Sequence, residues 1–303
     1  SGAQEALGTY ALNGFLSAVD EINARGGILN KPIEVVVRDD KSRPSDSAAV
    51  IREFLGNGIQ LVVGAGLAQP TLSAQGVVAE RDVVYMAVIA SNYAITHESF
   101  NDRTFRLFPS AWPVYQAEAQ IFARVAPDVT RWGGIFPDLD TGRSASNAFY
   151  SGLRRHYREI AGKEIELVDP IYARFGATDY RVQLAGLMRS GITGMFSGMA
   201  GADMVTMANQ ARSMGLLSQV EAFADNGLEV FAARALGRNL PGNFWSPSGW
   251  DNVMSEGNEV STRWAEAYLA RTGHLVPTGF GVKPAAGLYV LEQAAIATGG
   301  TDP

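Results

Sequence analysis

Residues 61–76 read LVVGAGLAQPTLSAQG: an apolar strand, a turn carrying Gly64 and Gly66, then the approach to a helix. Two chemistries use such a turn. It can cradle a nucleotide phosphate, or it can shape the rim of a site for a small soluble molecule. A dinucleotide fingerprint needs G-x-G-x-x-G/A ahead of a helix and an acid roughly 20 residues on, after the next strand. Here Gln69 stands at the sixth position, Pro70 follows it, and the next strand reads VVYMAVIASN without an acid. No glycine-rich run precedes a Lys-Ser/Thr pair, so a P-loop is missing too. The small-molecule rim and a plain two-glycine turn remain.

Working outward, strands and helices alternate. Leu12, Phe15, Leu16, Val19 and Ile22 fall on one helical face, and Gly26-Gly27 ends that helix. IEVVVRD (33–39) reads as a buried strand, followed by a polar helix at 45–57, the strand IQLVVGA, a helix at 71–81 and the strand VVYMAVIA. After the segment FPSAWPVYQ the same grammar repeats. The strands are WGGIFP, EIELVD, GMFSGM and VEAFAD, with helices at 143–159, 178–190 and 202–214. A second aromatic segment, LPGNFWSPSGW, precedes helices near 254–272 and 283–298. Such alternation builds parallel sheets covered on both faces. Two runs of it predict an α/β protein of two lobes, each a doubly wound parallel sheet flanked by helices. Lobe 1 is expected at 1–111 plus 249–303 and lobe 2 at 112–248, with a ligand cleft between them. Ligands of such sheets bind at the carboxyl ends of the strands, which directs attention to loops 64–71, 89–93, 137–143, 198–202 and 224–228.

Composition bounds the function. The chain has 303 residues, 47% hydrophobic and 18% charged, enough for two packed cores. A net charge of −6 and the lack of a basic run interleaved with aromatics argue against nucleic acid as a partner. There is no cysteine, which excludes disulfides, thiolate metal sites and a cysteine nucleophile. No apolar stretch reaches the ~20 residues of a membrane span. The abrupt opening SGAQEALGTY and the ending ATGGTDP suggest a piece of a longer chain, so the missing signal peptide is uninformative.

Catalytic and metal constellations are thin. His97, His156 and His274 lie far apart with no metal-binding spacing, and His156 in LRRHYRE reads as a solvated helix face. GRSAS at 142–146 lacks the last glycine of a nucleophile elbow. Asp39-Asp40 is either a carboxylate pair or a solvated strand end, and Asp138 and Asp140 have no partner base. No catalytic residue, metal or cofactor is expected, and the chain is not read as an enzyme. The cleft loops instead offer hydrogen-bonders (Thr71, Ser91, Asn92, Tyr93, Thr141) and small residues (Ala68, Ala90, Ala200, Gly201) ahead of helix N-termini. Trp112, Tyr115, Trp245 and Trp250 lie near the lobe crossings, as packing or as ligand contacts. Together these describe recognition of a small polar molecule.

The stretch ALNGFLSAVDEINARGGILNKPIEVVVRDDKSRPSDS (11–47), with GATDY (176–180), QARSMGL (210–216) and DNGL (225–228) in order, resembles type I periplasmic solute-binding proteins of the branched-chain amino acid kind. The resemblance covers essentially the whole chain. It implies a two-lobed type I (Venus flytrap) fold that closes on its ligand by a hinge and delivers it to an ABC-type membrane permease from a periplasmic or other extracytoplasmic location. Such relatives begin with a short strand and a turn of which Ser1-Gly2 looks like the end. It further implies a ligand carboxylate held by loop 67–71 (Leu67, Ala68, Gln69, Pro70, Thr71) and by Ala90-Ser91. Leu7, Thr141 and Ala200 or Gly201 stand where relatives carry aromatics, and Phe280 keeps the aromatic near the last helix. The acid that pairs with a ligand ammonium aligns with Asn226, with Asp225 adjacent. These departures imply a roomier pocket, for an amino acid held by Asp225, for an aromatic or aliphatic acid without an amine, or for an amide. The same module also serves as a sensing ectodomain or an amide-sensing regulator.

Overall fold

The computed structural model describes residues 5–64, 66–225, 229–250 and 255–302. The chain divides into two compact units, Ser1–Pro109 with Gly249–Pro303, and Ser110–Ser248.

The first unit opens with α1 (Glu5–Ala24), α2 (Pro44–Gly56), β1 (Leu61–Gly64), α3 (Ala68–Val78), β2 (Val84–Ala87) and β3 (Thr104–Arg106). Its three strands are parallel in the order β1-β2-β3. Side chains alternate across β2. Tyr85 and Ala87 join Ile51 and Phe54 of α2 and Ala74 and Val78 of α3. Met86 points the other way, toward Gly287 of a later helix.

Two sequence expectations need correction here. Leu7, which the resemblance matched to an aromatic just before the first helix, lies within α1. Of its expected face, Val19 and Ile22 are buried and Phe15 packs on the core, but Leu12 is exposed while Ala11 and Ala18 are buried. The cause is a backbone contact: a Cβ on Gly14 would stand 2.0 Å from the carbonyl oxygen of Gly281. Small residues let the two helices approach that closely, and Leu12 is left outside.

Residues 33–39 form no strand either. Among the described residues the only ladders are those of the two sheets and a bridge between Ile28 and Lys31. The segment is instead held by its ends. Asn23 exchanges two side-chain hydrogen bonds with the Ile33 backbone, and Arg38 pairs with Glu53. Ile33 and Val35 pack on the core, and Val36 and Val37 stay 48% exposed. β-Branched residues favour a strand only where a ladder partner exists.

The second unit runs α4 (Ala111–Val125), β4 (Arg131–Pro137), α5 (Asp140–His156), β5 (Glu166–Leu167), β6 (Ile171–Ala173), α6 (Arg181–Arg189), β7 (Gly194–Ser197), α7 (Gly201–Ser213), α8 (Leu216–Gln219), β8 (Ala222–Asp225), α9 (Glu229–Leu236) and β9 (Phe244–Trp245). All six strands are parallel, in the order β5-β4-β7-β8-β9, with β6 also on β4. Period-2 alternation sorts the core onto two faces. Trp132, Phe136, Phe196, Ala222 and Ala224 meet α4 and α5. Ile135, Met195 and Phe223 meet α6, α7, α8 and α9. The chain then returns to the first unit with α10 (Glu259–Thr272) and α11 (Gly279–Thr298), which pack on α1. No helix among the described residues is long and apolar enough to cross a membrane.

Candidate functional site

The carboxyl ends of β1, β4 and β7 each lead into a helix whose first residues lack a side-chain cap. The residues at the cap positions of α3, α5 and α7 are Leu67, Leu139 and Ala200, and none accepts a hydrogen bond with its side chain. Each helix start therefore keeps backbone N–H donors with no partner inside the helix. Donors aimed outward from a helix start suit an anion. At α3 the set is smaller than expected. Pro70 has no N–H, and the Thr71 amide already donates to the Leu67 carbonyl at 3.0 Å. The Thr71 hydroxyl, which the resemblance implied as a carboxylate donor, donates to that same carbonyl at 2.8 Å and is fully buried. Ala68 and Gln69 supply the remaining amides.

In the loop after β2, Ala90 is buried and Ser91 is half-buried, its hydroxyl engaged by no side-chain hydrogen bond among the described residues. Asn92 works structurally: its Oδ1 accepts from the Ala94 amide, and its carbonyl accepts from Arg106 Nη1, both at 2.8 Å. Burial lowers the Arg106 pKa. Tyr93 is exposed and stacks on His97 with ring centroids 3.3 Å apart. Phe280 belongs to the first turn of α11 and not to the loop before it, stacked on Phe108.

In the second unit Thr141 is exposed on the first turn of α5, Ala200 is half-buried, and Gly201 opens α7 with φ +55°. Asp225 ends β8, is 0% exposed, and stands opposite Ser197 on β7. Asn226 lies outside the described residues. Asp39 and Asp40 are turn-formers, accepting from the Lys41 and Ser42 amides. Asp138 pairs with Arg143. His156, expected on a solvated face, is buried at the end of α5, and burial lowers its pKa. Trp245 and Trp250 pack against Phe122 and Trp264, and Trp112 is exposed. No group of three or more metal-binding side chains exists among the described residues.

Each unit thus carries a parallel sheet with uncapped helix starts at its strand ends, and the second adds a buried acid at the end of β8. The periplasmic binding protein family matches the sequence over residues 1–303. The chain belongs to that family. This periplasmic binding protein is 27% identical to the leucine-specific-binding protein of Salmonella typhimurium over 72% of its own length and 57% of that relative's. It thus spans little more than half of that protein. Against the Leu/Ile/Val-binding protein homolog 2 of Brucella abortus it is 25% identical, covering all of this chain and 77% of the other. A branched-chain amino acid transporter substrate-binding protein of Streptococcus pneumoniae, solved with isoleucine, superposes with a TM-score of 0.80 at 21% identity, covering 97% of this chain and 81% of that one. A solute-binding protein of an ABC transporter from Rhodopseudomonas palustris BisB5, solved with 3,4-dihydroxybenzoic acid, gives 0.82 at 16% identity, over 100% and 80%. The fold is the type I periplasmic-binding fold, and the relatives are solute-binding proteins and not enzymes.

One residue of this binding protein escaped the sequence reading altogether. Glu118 lies on α4, whose first residues belong to the Pro/Trp-marked segment FPSAWPVYQ. Tyr115, Ala119, Phe122 and Ala123 mark its inward face, and Glu118 sits within that stripe, 6% exposed. A carboxyl inside an apolar helical face was the signal. Neither of its oxygens has a hydrogen-bond partner. Burial first, and the Asp225 charge second, push its pKa well above the ordinary value. Burial, then Glu118 and Asp225, likewise push up the Tyr115 hydroxyl.

Proposed function

We propose that this protein is the extracytoplasmic solute-binding component of an ABC-type importer, closing on a small amino acid and handing it to a membrane permease. The observation that carries the reading is Asp225, a buried carboxylate at the carboxyl end of a parallel strand, where sheets of this build bind ligands. A ligand ammonium would pair with it, and the ligand carboxylate would take the Ala68 and Gln69 amides with the Ser91 hydroxyl. The ligands named for relatives support this division: isoleucine carries both groups. The dihydroxybenzoate bound by the Rhodopseudomonas protein carries only the acid, and the small residues at Ala200 and Gly201 favour such a ligand as a second reading.

The test is a thermal-shift panel on refolded protein, setting aliphatic amino acids against their amine-free acids and against aromatic acids. A ligand at a hundredfold its Kd stabilises by about 2.7 kcal/mol, a clear melting shift. Stabilisation by the amino acids that Asp225→Asn reduces at least tenfold in affinity supports the reading. Stabilisation by amine-free acids alone replaces it with the organic-acid reading.

A further inference from the structure

We propose that Lys283 is a positioning residue of the hinge: it ties both passages of the chain between the units to the start of α11, so that closure bends only the few residues beyond the tie. This rests on the reading of the protein as one that closes on its ligand, given above.

The chain leaves the first unit after Pro109 and re-enters it at Gly249. Each passage is short and bounded by fixed residues. On the way out, the Leu107 amide still donates to the Ala87 carbonyl at 2.9 Å, and α4 starts at Ala111. On the way back, β9 ends at Trp245, which packs on Phe122. Trp250 then packs on Trp264, and its indole N–H donates to the Ser261 hydroxyl at 2.9 Å. Residues 108–110 and 246–249 are left to take up a change of direction. Pro109 and Pro247 hold two of their φ angles nearly fixed.

Lys283 reaches both passages. Its ammonium lies over the Phe108 ring, 4.6 Å from the centroid, and Phe280 stacks on that same ring with centroids 6.0 Å apart. The same Nζ fills the space in which a Cβ on Gly249 would stand. Gly249 has no left-handed φ, so what requires a glycine there is room for the ammonium and not a turn. One side chain thus meets the last ring before the chain leaves the unit and the first residue after it returns. Phe108, Gly249, Phe280 and Lys283 all belong to the first unit.

The place of the lysine in its helix argues the same way. α11 carries only two charged residues, Lys283 and Glu292, and Glu292 receives Arg25. A cation near a helix N-terminus works against the macrodipole. A helical side chain also leans toward that N-terminus, which brings this ammonium onto residues 108 and 249. A residue that breaks its local rule and makes two specific contacts is explained by those contacts.

While the tie holds, both passages start from one fixed point and bend as one hinge. Without it, Phe108 and Gly249 join the moving residues. The free protein then samples more conformations, closure gives up more entropy, and ligand binds more weakly.

The experiment uses two variants that break the tie differently. Lys283→Met keeps an unbranched side chain without the charge, and Gly249→Ala leaves the lysine but fills the space of its ammonium. Hydrogen exchange read by mass spectrometry is followed on the free proteins, with circular dichroism to check folding. Affinities are titrated with leucine, 4-methylpentanoic acid and 3,4-dihydroxybenzoic acid as probes. The proposal expects each variant to speed exchange in peptides spanning both 107–111 and 246–250, with β4 and β7 unchanged. For the probe that binds the parent, affinity should fall about fivefold or more, the cost of fixing one further residue. The double variant should be no worse than either single one, since both remove the same contact. Faster exchange confined to α11 or to one passage, unchanged affinity, or additive losses in the double variant overturns the proposal and leaves Lys283 a packing residue. If no probe binds the parent, the ligand reading fails by itself, and exchange at the two passages still decides the tie.

Discussion

Glu21 and Glu118 are both glutamates on the inner faces of helices, 7% and 6% exposed, one in each unit of the chain. Their surroundings are opposite. Glu21 receives Arg25 and Arg263, each at 2.7 Å, and the Tyr289 hydroxyl at 3.1 Å. Burial raises its pKa, but those donors outweigh burial and the net shift is downward. Glu118 receives nothing, and its shift is upward. Burial of a carboxyl is thus compatible with two roles. Where arginines accompany it, the acid fastens helices together: here α1, α10 and α11. Where no cation accompanies it, as at Glu118, burial and the neighbouring acid favour the protonated form.

The largest expected effect lies on the fastened side. Arg25→Met strips Glu292 of its arginine and Glu21 of a bidentate partner while leaving two carboxylates buried. Urea unfolding at pH 7 should show a loss of about 2–3 kcal/mol, below the full buried-pair value because Arg25 is partly exposed. A loss under ~0.5 kcal/mol would mean that Arg263 alone carries the cluster and would blunt the contrast.

Next comes the unfastened side, with the opposite sign. Glu118→Met removes a buried polar group that has no partner, and the unliganded protein should gain about 1–3 kcal/mol in the same unfolding assay. A loss of stability would show that Glu118 is held by the fold, and its likeness to Glu21 would return.

The pH dependence sharpens the pair further. Glu118 titrates above the 4.5 of an ordinary glutamate in the folded state. Its contribution is fully present below that value and is lost as pH rises toward the folded pKa. Glu21 is depressed, so its contribution is present above 4.5 and is lost as pH falls through the folded pKa. Glu118→Gln should therefore match the parent near pH 4 and exceed it progressively toward pH 8. Glu21→Gln should do the reverse, costing most at neutral pH and least in acid. Parallel curves for parent and Glu118→Gln across that range would refute the assignment.

How much of this was legible in the sequence differs between elements for physical reasons. Most of the β/α alternation was legible, because period-2 and period-3.6 patterns are local signals. The helix carrying Glu118 was not, because Pro113 and Trp112 at its start read as a linker, although proline is well tolerated in a first helical turn. The run at 33–39 was over-read as a strand, since β-branched composition says nothing about whether a ladder partner is present. Thr71 was legible as a hydroxyl at a helix start, but not its hydrogen bond back to Leu67, which depends on its place four residues into α3. In each case the missing information was a partner elsewhere in the chain.

The smallest effects carry the same contrast into the backbone. α10 starts with Asn258, whose side chain accepts from the Ser261 amide at 2.9 Å, whereas α3 starts with Leu67 and no cap. Asn258→Ala should cost about 1 kcal/mol and leave ligand binding untouched, because a satisfied amide loses its acceptor far from any proposed contact. Leu67→Ser should stabilise by up to ~1 kcal/mol, less what the leucine side chain contributes in packing. Its hydroxyl would compete for the same α3 amides that the proposed function assigns to the ligand carboxylate. Binding of the panel's best ligand should then weaken severalfold even as the melting temperature of the free protein rises. Stability and affinity moving in opposite directions at Leu67, but not at Asn258, would mark the α3 amides as a site left open for an acid. Affinity unchanged in Leu67→Ser would move the ligand carboxylate away from α3 and onto the uncapped starts of α5 or α7.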